Sequence, residues 1–363
     1  MMKWGERRAK WWLWRLAGPV IIALVDRFVN DRAFANDGRF VDAWSKRHLV
    51  VESLRYDRDP VFMGLLPSLV CHLAHRKDLY TFWQIHGASI YPNDYISPLP
   101  DLTHLDESDW PRAFDAAGLD YGADGQARLL ADVFPRYIQE CRYPSEPTGN
   151  DAEFHKNPMF GSVDAEVLYC LVRHHRPRRI IEVGSGFSTR MIASACNQNA
   201  KELGWRTLVT AIDPVPRASL SALAGVVEHD RRPVEDVPKE YFDSLNHDDI
   251  LFIDSSHIVR PGGDVVYLYL EILPRLKPGV MIHVHDIFLP LDYPRDIIFD
   301  NHWFLTEQYL LHAFLLYNNA FKIVWASKYM MRTQESLMNA CFGTTGGSSL
   351  WLRRGDEVEA PSN

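Results

Sequence analysis

From about residue 160 onward, short β-branched apolar runs alternate with longer stretches in which apolar residues recur at helical spacing, the pattern of βαβ units around a parallel sheet. Strands are expected at Arg179–Val183, Thr207–Ile212, Gly225–Glu228, Ile250–Ile253 and Val280–Val284, with helices such as Ser188–Lys201 and Asp264–Leu276 between them. After a last helix, Trp303–Tyr317, the runs Phe321–Ala326 and Ser348–Leu352 read as a closing β pair. The sum is a Rossmann-like α/β domain, a seven-stranded sheet with helices on both faces.

Upstream the pattern changes. Leu129, Leu130, Val133, Phe134, Tyr137 and Ile138 repeat at helical spacing within Gln126–Cys141, and another helical stretch covers Gly64–Leu79. Between them, the segment Tyr91–Pro100 is interrupted by Pro92 and Pro98 and continues neither a helix nor a central strand. Three zones are expected: a helical, basic and Trp-rich extension, 1–60; a helical cap with the proline-broken segment, 61–150; and the sheet domain, 151–363, with Pro144–Asn150 as the boundary.

In the first zone Lys3, Arg7, Arg8, Lys10 and Arg15 surround Trp4, Trp11, Trp12 and Trp14, ahead of the apolar run Val20–Val25. With Pro19 beside it, that run falls short of the roughly 20 residues a membrane-spanning helix needs. Asp26-Arg27-Phe28 follows it where a secretory signal would have a small-residue cleavage site. Two readings stand: residues 1–29 lie on the anionic inner face of a membrane, or they pack on the protein's own surface or on a second copy in a homo-oligomer.

Composition adds exclusions. A net charge of −8 gives no general attraction to polyanions, and no basic patch is present in the C-terminal half, so a nucleic-acid partner is not expected. Five widely spaced cysteines without a CxxC pair argue against a disulfide framework or structural zinc, and fit a reducing cytoplasm.

In such a sheet, ligands bind beyond the carboxyl ends of the strands. Gly184 and Gly186 follow the first strand directly and let the backbone turn tightly against a ligand. Thr189 stands where a dinucleotide fingerprint would place its third glycine, which lowers a nicotinamide-dependent reading. Glu182 precedes the turn, Asp213 closes the second strand, Glu235 follows the third and Asp254 closes the fourth. An acid in the place of Asp213 can accept hydrogen bonds from both ribose hydroxyls, or else cap the next helix. The expected cofactor-binding set is Glu182, Gly184, Ser185, Gly186, Asp213, Glu235 and Asp254.

The run Glu182-Val183-Gly184-Ser185-Gly186-Phe187-Ser188-Thr189, read with Asp213, resembles the class I S-adenosylmethionine-dependent methyltransferases over about residues 155–354. Phe252-Ile253-Asp254-Ser255-Ser256-His257 and His283-Val284-His285-Asp286-Ile287-Phe288 are similar to a group of bacterial methyltransferases of mostly unassigned substrate. Tyr91–Asp101 and Phe160–Ala165 extend that likeness to about residue 85. The resemblance implies S-adenosyl-L-methionine as methyl donor and a small-molecule or glycan acceptor. The layout also resembles catechol-type O-methyltransferases, whose acids after strands four and five hold a metal. Asp254 and Asp286 take those places and would hold Mg²⁺, although Ile287 stands where that pattern has asparagine.

On the acceptor side, His257 is expected as a neutral imidazole general base, with the alternatives that it orients its loop or contacts the methionine carboxylate. His285, nearest the end of strand five, and Asp286 complete the expected catalytic set. His283, two residues earlier on the same face, is expected to hydrogen-bond within the sheet packing. Tyr91 and Tyr95 are carried over as acceptor-pocket residues. Asp164 either covers the cofactor or caps a helix. The expected function is O-methylation of a small hydroxylated acceptor: a sugar, glycolipid or natural product. The alternatives are a non-catalytic S-adenosylmethionine-binding scaffold protein and an NAD(P)-dependent oxidoreductase.

Overall fold

The computed structural model describes residues 70–85, 87–115, 117–141, 159–216, 223 and 227–355. The extension 1–60, the start of the 64–79 stretch and the expected boundary at Pro144–Asn150 lie outside the described residues. The chain divides into two compact units, Met1–Thr103 and His104–Asn363. No helix among the described residues is long and apolar enough to cross a membrane.

In the first unit a short helix, α1 (Tyr80–Ile85), leads into the proline-broken segment. That segment is held by its own polar side chains. Asp94 accepts from the Ile96 N–H at 3.0 Å, and the Asn93 amide donates to Asp101 at 3.0 Å. This is how a stretch with missing N–H donors keeps a fixed path.

The second unit is built on a seven-stranded sheet in the order β3-β2-β1-β4-β5-β7-β6. Its strands are β1 (Arg179–Val183), β2 (Leu208–Ile212), β3 (Val227–Asp230), β4 (Ile250–Ile253), β5 (Met281–Val284), β6 (Phe321–Ala326) and β7 (Leu350–Arg354). β1 to β5 are paired parallel, and β7 runs antiparallel to both β5 and β6. Alternation along the strands feeds two cores. Ile181, Val183, Leu251, Ile253, Ile282 and Val284 pack on one face, and Ile180, Ile250, Phe252 and Met281 on the other.

The helices follow from local signals. α2 (Ala123–Arg128) begins at Gly122, which is left-handed at φ 60°. α3 (Asp164–His175) is started by the Glu166 carboxylate, which accepts from the Val163 N–H at 2.5 Å. α4 (Phe187–Leu203) ends at Gly204, whose φ of 72° is the left-handed stop that glycine adopts without cost. α5 (Asp264–Tyr267) loosens into a π turn, Leu268–Ile272, and ends in a 3₁₀ turn around Pro274. The stretch after α2 does the same, with a π turn at Leu129–Val133 and Pro135 in the 3₁₀ turn that closes it. Proline lacks the N–H and crowds the carbonyl four residues back, which explains why the helix expected over Gln126–Cys141 stops short. α6 (Glu307–Leu315), α7 (Ser327–Thr333) and α8 (Glu335–Phe342) complete the unit.

The expected division at residue 150 is corrected, because 104–141 packs into the sheet unit. Ala113 forms a β bridge with Leu291, and the Ala326 N–H donates to the Gln126 side chain at 2.8 Å. Buried Arg173 on α3 donates to Glu140 at 2.7 Å. Phe134 stacks edge-on to Trp325, with centroids 5.2 Å apart.

Trp325 is fully buried and donates its indole N–H to Ser327 at 2.9 Å. Trp325→Ala should lower unfolding free energy by about 3–5 kcal/mol in urea titrations, whereas Lys322→Ala, exposed on the same strand, should stay within about 0.5 kcal/mol.

Candidate active site

β1 and β4 are neighbours although the chain leaves them in opposite directions along the sheet, so the switch point lies between their carboxyl ends. Backbone bonds continue the ladder one step past the strands. The N–H groups of Asp213, Gly184, Asp254 and His285 donate to Asp230, Ile212, Val183 and Ile253 at 2.9–3.0 Å. Four residues from separate segments are thereby set in a row, above which opens a cavity of about 520 Å³.

Gly184, Ser185, Gly186, Asp213, Glu235, Asp254, His257, His285 and Asp286 all line this cavity. At Gly184 φ is +86°, and a Cβ would lie 1.9 Å from the Asp254 carbonyl oxygen, so only glycine permits this approach of β1 to β4. At Gly186 the space a Cβ would fill is open. Ser185 donates to Asp213 at 2.5 Å, and the other oxygen of that carboxylate accepts from the Val215 N–H at 2.8 Å. Thr189, in the place of a third fingerprint glycine, accepts from the Gly186 N–H at 2.9 Å and so fixes the turn.

Glu182 is placed elsewhere than with the cofactor set. It is fully buried, does not line the cavity, and accepts from the Ser188 hydroxyl at 2.7 Å, tying β1 to the first turn of α4. Burial pushes its carboxyl up to about 8, against the pull of Ser188.

Beyond the ends of β4 and β5 lies a cluster of interleaved acids and imidazoles. His257 Nδ1 lies 2.8 Å from Oε2 of Glu307, and Nε2 lies 3.3 Å from Asp254 and 3.7 Å from Asp286. Burial alone would lower the ring's proton affinity, but the hydrogen bonds to Asp254 and Glu307 overrule it and raise the value to about 10. The expectation of a neutral imidazole is therefore corrected: at neutral pH His257 rests as an imidazolium. The buried His285 has Nδ1 at 3.5 Å from Asp254 and 3.6 Å from Asp286, with Nε2 at 3.5 Å from Asp164. It too is held well above the usual histidine range, the nearby carboxylate charges outweighing burial. Burial works against Asp254, yet His285 and His257 keep it strongly acidic.

His283 makes the contrast. On the same face as His285 but deeper, it stacks on Phe252 with centroids 3.9 Å apart and meets the Ser349 hydroxyl at 2.9 Å. Burial drives it well below the ordinary value, so it stays neutral. Tyr91 and Tyr95 belong to the first unit, where Tyr91 meets Tyr80 edge-on at 5.4 Å and Tyr95 is exposed.

Two buried acids complete the cluster. Glu307, the first residue of α6, holds His257, while the N–H groups of Thr306 and Glu307 donate to the His257 carbonyl at 2.9 and 3.0 Å. Sequence reasoning missed it, because nothing local sets it apart from an ordinary helix-start acid. Asp164 does begin α3, but its carboxylate accepts from the N–H groups of Ser348 and Ser349 at 2.8 and 3.0 Å and faces His285.

Residues 181–287 match the family model described as a methyltransferase domain. The matched segment runs from β1 through β5 and carries Gly184, Asp213, Asp254, His257 and His285. Among curated proteins, an uncharacterized protein of Archaeoglobus fulgidus is 26% identical over 172 residues, 44% of this chain and 75% of that one. Among solved structures, the S-adenosylhomocysteine-bound methyltransferase PaMTH1 of Podospora anserina is 12% identical with a TM-score of 0.34, over 62% of this chain and 88% of that one. The MycE methyltransferase of the mycinamycin pathway, in complex with Mg and S-adenosylhomocysteine, is 14% identical with a TM-score of 0.32, over 58% and 55% of the two chains. Scores this low transfer no residue's role.

Both raised groups act on stability in one direction. A folded value of about 8 at Glu182, against 4.5 for an ordinary glutamate, means stability fully present below pH 4.5 and lost as pH rises through 8. For His257 the loss comes as pH rises through about 10. Glu182→Gln should match the parent in thermal unfolding at pH 5 and exceed it at pH 9, by on the order of a few kcal/mol; equal curves at pH 9 would refute the assignment.

Proposed function

We propose that this protein transfers the methyl group of S-adenosyl-L-methionine to a hydroxyl oxygen of a small acceptor, a sugar, glycolipid head group or natural product. The observation that carries this reading is the His257 ring, fixed by Glu307 on one side and facing the cavity acids with its other nitrogen.

The cavity suits a nucleoside donor in size and in lining. Asp213, oriented by Ser185 and the Val215 N–H, would take the ribose hydroxyls. Gly184 and the open face of Gly186 would bring backbone close to the nucleoside, with Glu235 on the same wall. When bound, the donor supplies an electrophilic methyl on a sulfonium. Positioning of the acceptor oxygen against it provides much of the rate.

The acceptor hydroxyl must also lose its proton, and His257 Nε2, once its own proton has left, is the group placed to receive it. Nδ1 keeps its hydrogen on Glu307, which holds the ring in one orientation and stabilises the imidazolium that results. Asp254 is too weak a base for this task, being held far on the acidic side by His285 and His257 against its burial.

Mg²⁺ at Asp254 and Asp286 fits poorly. That ion takes oxygen ligands in near-octahedral geometry, whereas imidazole nitrogens of His257 and His285 stand 3.3–3.7 Å from both carboxylates. Among the described residues no group of three or more His, Cys, Asp or Glu is arranged to hold a metal. Deprotonation is therefore assigned to the protein's own groups.

Calorimetry with S-adenosylhomocysteine should show binding that Asp213→Ala weakens at least tenfold; equal affinity would remove Asp213 from the site. Transfer of labelled methyl to the acceptor should rise with pH toward about 10, where His257 loses its proton. Glu307→Gln removes one of the charges that raise the ring, so this limb should move toward neutral pH. An unmoved limb would show that another group titrates.

A further inference from the structure

The cavity lining includes an exposed cation that pairs with no described residue. Asp213, Glu235, Asp254, Asp264 and Asp286 all line the cavity, and Arg260 is the one lysine or arginine that does so among the described residues. Three of the acids on this lining are already engaged. Asp264 accepts from the Ser256 N–H at 2.8 Å and its hydroxyl at 2.6 Å, Asp286 from Ser348 at 3.0 Å, and Asp254 faces the histidines. Arg260 is exposed to solvent, and its side chain forms no ion pair or hydrogen bond with any described residue.

The loop that carries it is stapled at both ends. The His257 carbonyl accepts two N–H groups at the start of α6, the Val259 N–H donates to Thr306 at 2.7 Å, and the Gly263 N–H returns to the Arg260 carbonyl at 3.1 Å. A Cβ at Gly263 would lie 2.7 Å from Arg260 Cγ and 3.2 Å from Nε, so glycine there lets the arginine stem lie close across the loop. The backbone of the loop is thus fixed, while the guanidinium itself is exposed on the cavity lining. On the same lining, Trp303 is 58% exposed, an indole face open to solvent.

We propose that the acceptor carries an anionic group, a carboxylate or a phosphate, held by Arg260 while its sugar or aromatic face lies on Trp303. Guanidinium matches both anions through paired N–H donors, and a flat indole suits a ring face. A neutral hydroxylated compound would leave the cation without a partner. This inference rests on the methyl-transfer reading above.

The test is calorimetry on the full chain saturated with S-adenosylhomocysteine, using D-glucuronate, D-glucose 6-phosphate and 3,4-dihydroxybenzoate against neutral D-glucose and catechol. At least one anion should bind, its neutral counterpart at least tenfold more weakly, and Arg260→Gln should abolish the difference while leaving S-adenosylhomocysteine affinity unchanged. Arg260→Lys should retain part of it, and the preference between carboxylate and phosphate names the group. The proposal falls if no anion binds, if the preference survives Arg260→Gln, or if that substitution weakens S-adenosylhomocysteine instead, which would give the guanidinium to the donor's carboxylate. Failure of S-adenosylhomocysteine to bind the parent protein would sink the underlying reading and this inference with it.

Discussion

The site depends on how closely two strand ends can come together. β1 and β4 are separated by sixty-odd residues of chain, yet the Asp254 N–H donates to the Val183 carbonyl at 2.9 Å and the Asp254 carbonyl faces the space where Gly184 would carry a side chain. Any Cβ there would force the strands apart. The row formed by Asp213, Gly184, Asp254 and His285 would then lose its register, and the floor of the cavity with it.

Above that floor, charge is balanced locally rather than by solvent. Four acids, Asp164, Asp254, Asp286 and Glu307, alternate with two imidazoles, His257 and His285, so that each ring faces at least two carboxylates. Burying any of these alone would be costly, and removing one would strand its neighbour. His283, a few ångströms deeper in the same face, packs against aromatic rings and a hydroxyl, and its burial keeps it neutral. Position along one strand thus decides whether a histidine is charged.

Much of the fold was legible because period-two apolar runs bounded by helical stretches have few other solutions. β1, β4 and β6 fall on the expected residues, and β3 and β7 are each displaced by two residues. The helix over Gln126–Cys141 was overestimated because apolar spacing continues past Pro135 although the hydrogen-bond ladder does not. At the site, residues directly after strands were readable, since the strand end dictates where they point. Glu307 was not: it reaches His257 from fifty residues away, and only the docking of α6 brings the two together. Nor could the protonation of His257 be read, because it is a property of two carboxylates outside its own segment. Glu182 shows the reverse error, a motif residue whose side chain turns inward to serve the helix rather than the ligand.

Asp164 has a bearing on how the protein comes off the ribosome. Its carboxylate is satisfied by Ser348 and Ser349, 184 and 185 residues later in the chain, and the space that Gly347 leaves free is what lets that segment close over it. His285, which leans on Asp164, therefore lacks its final support until the segment leading into β7 has been synthesised and inserted between β5 and β6. Contacts of such long sequence separation form late. A nascent chain can therefore lay down the sheet from β1 to β4 well before the cluster around His285 is complete.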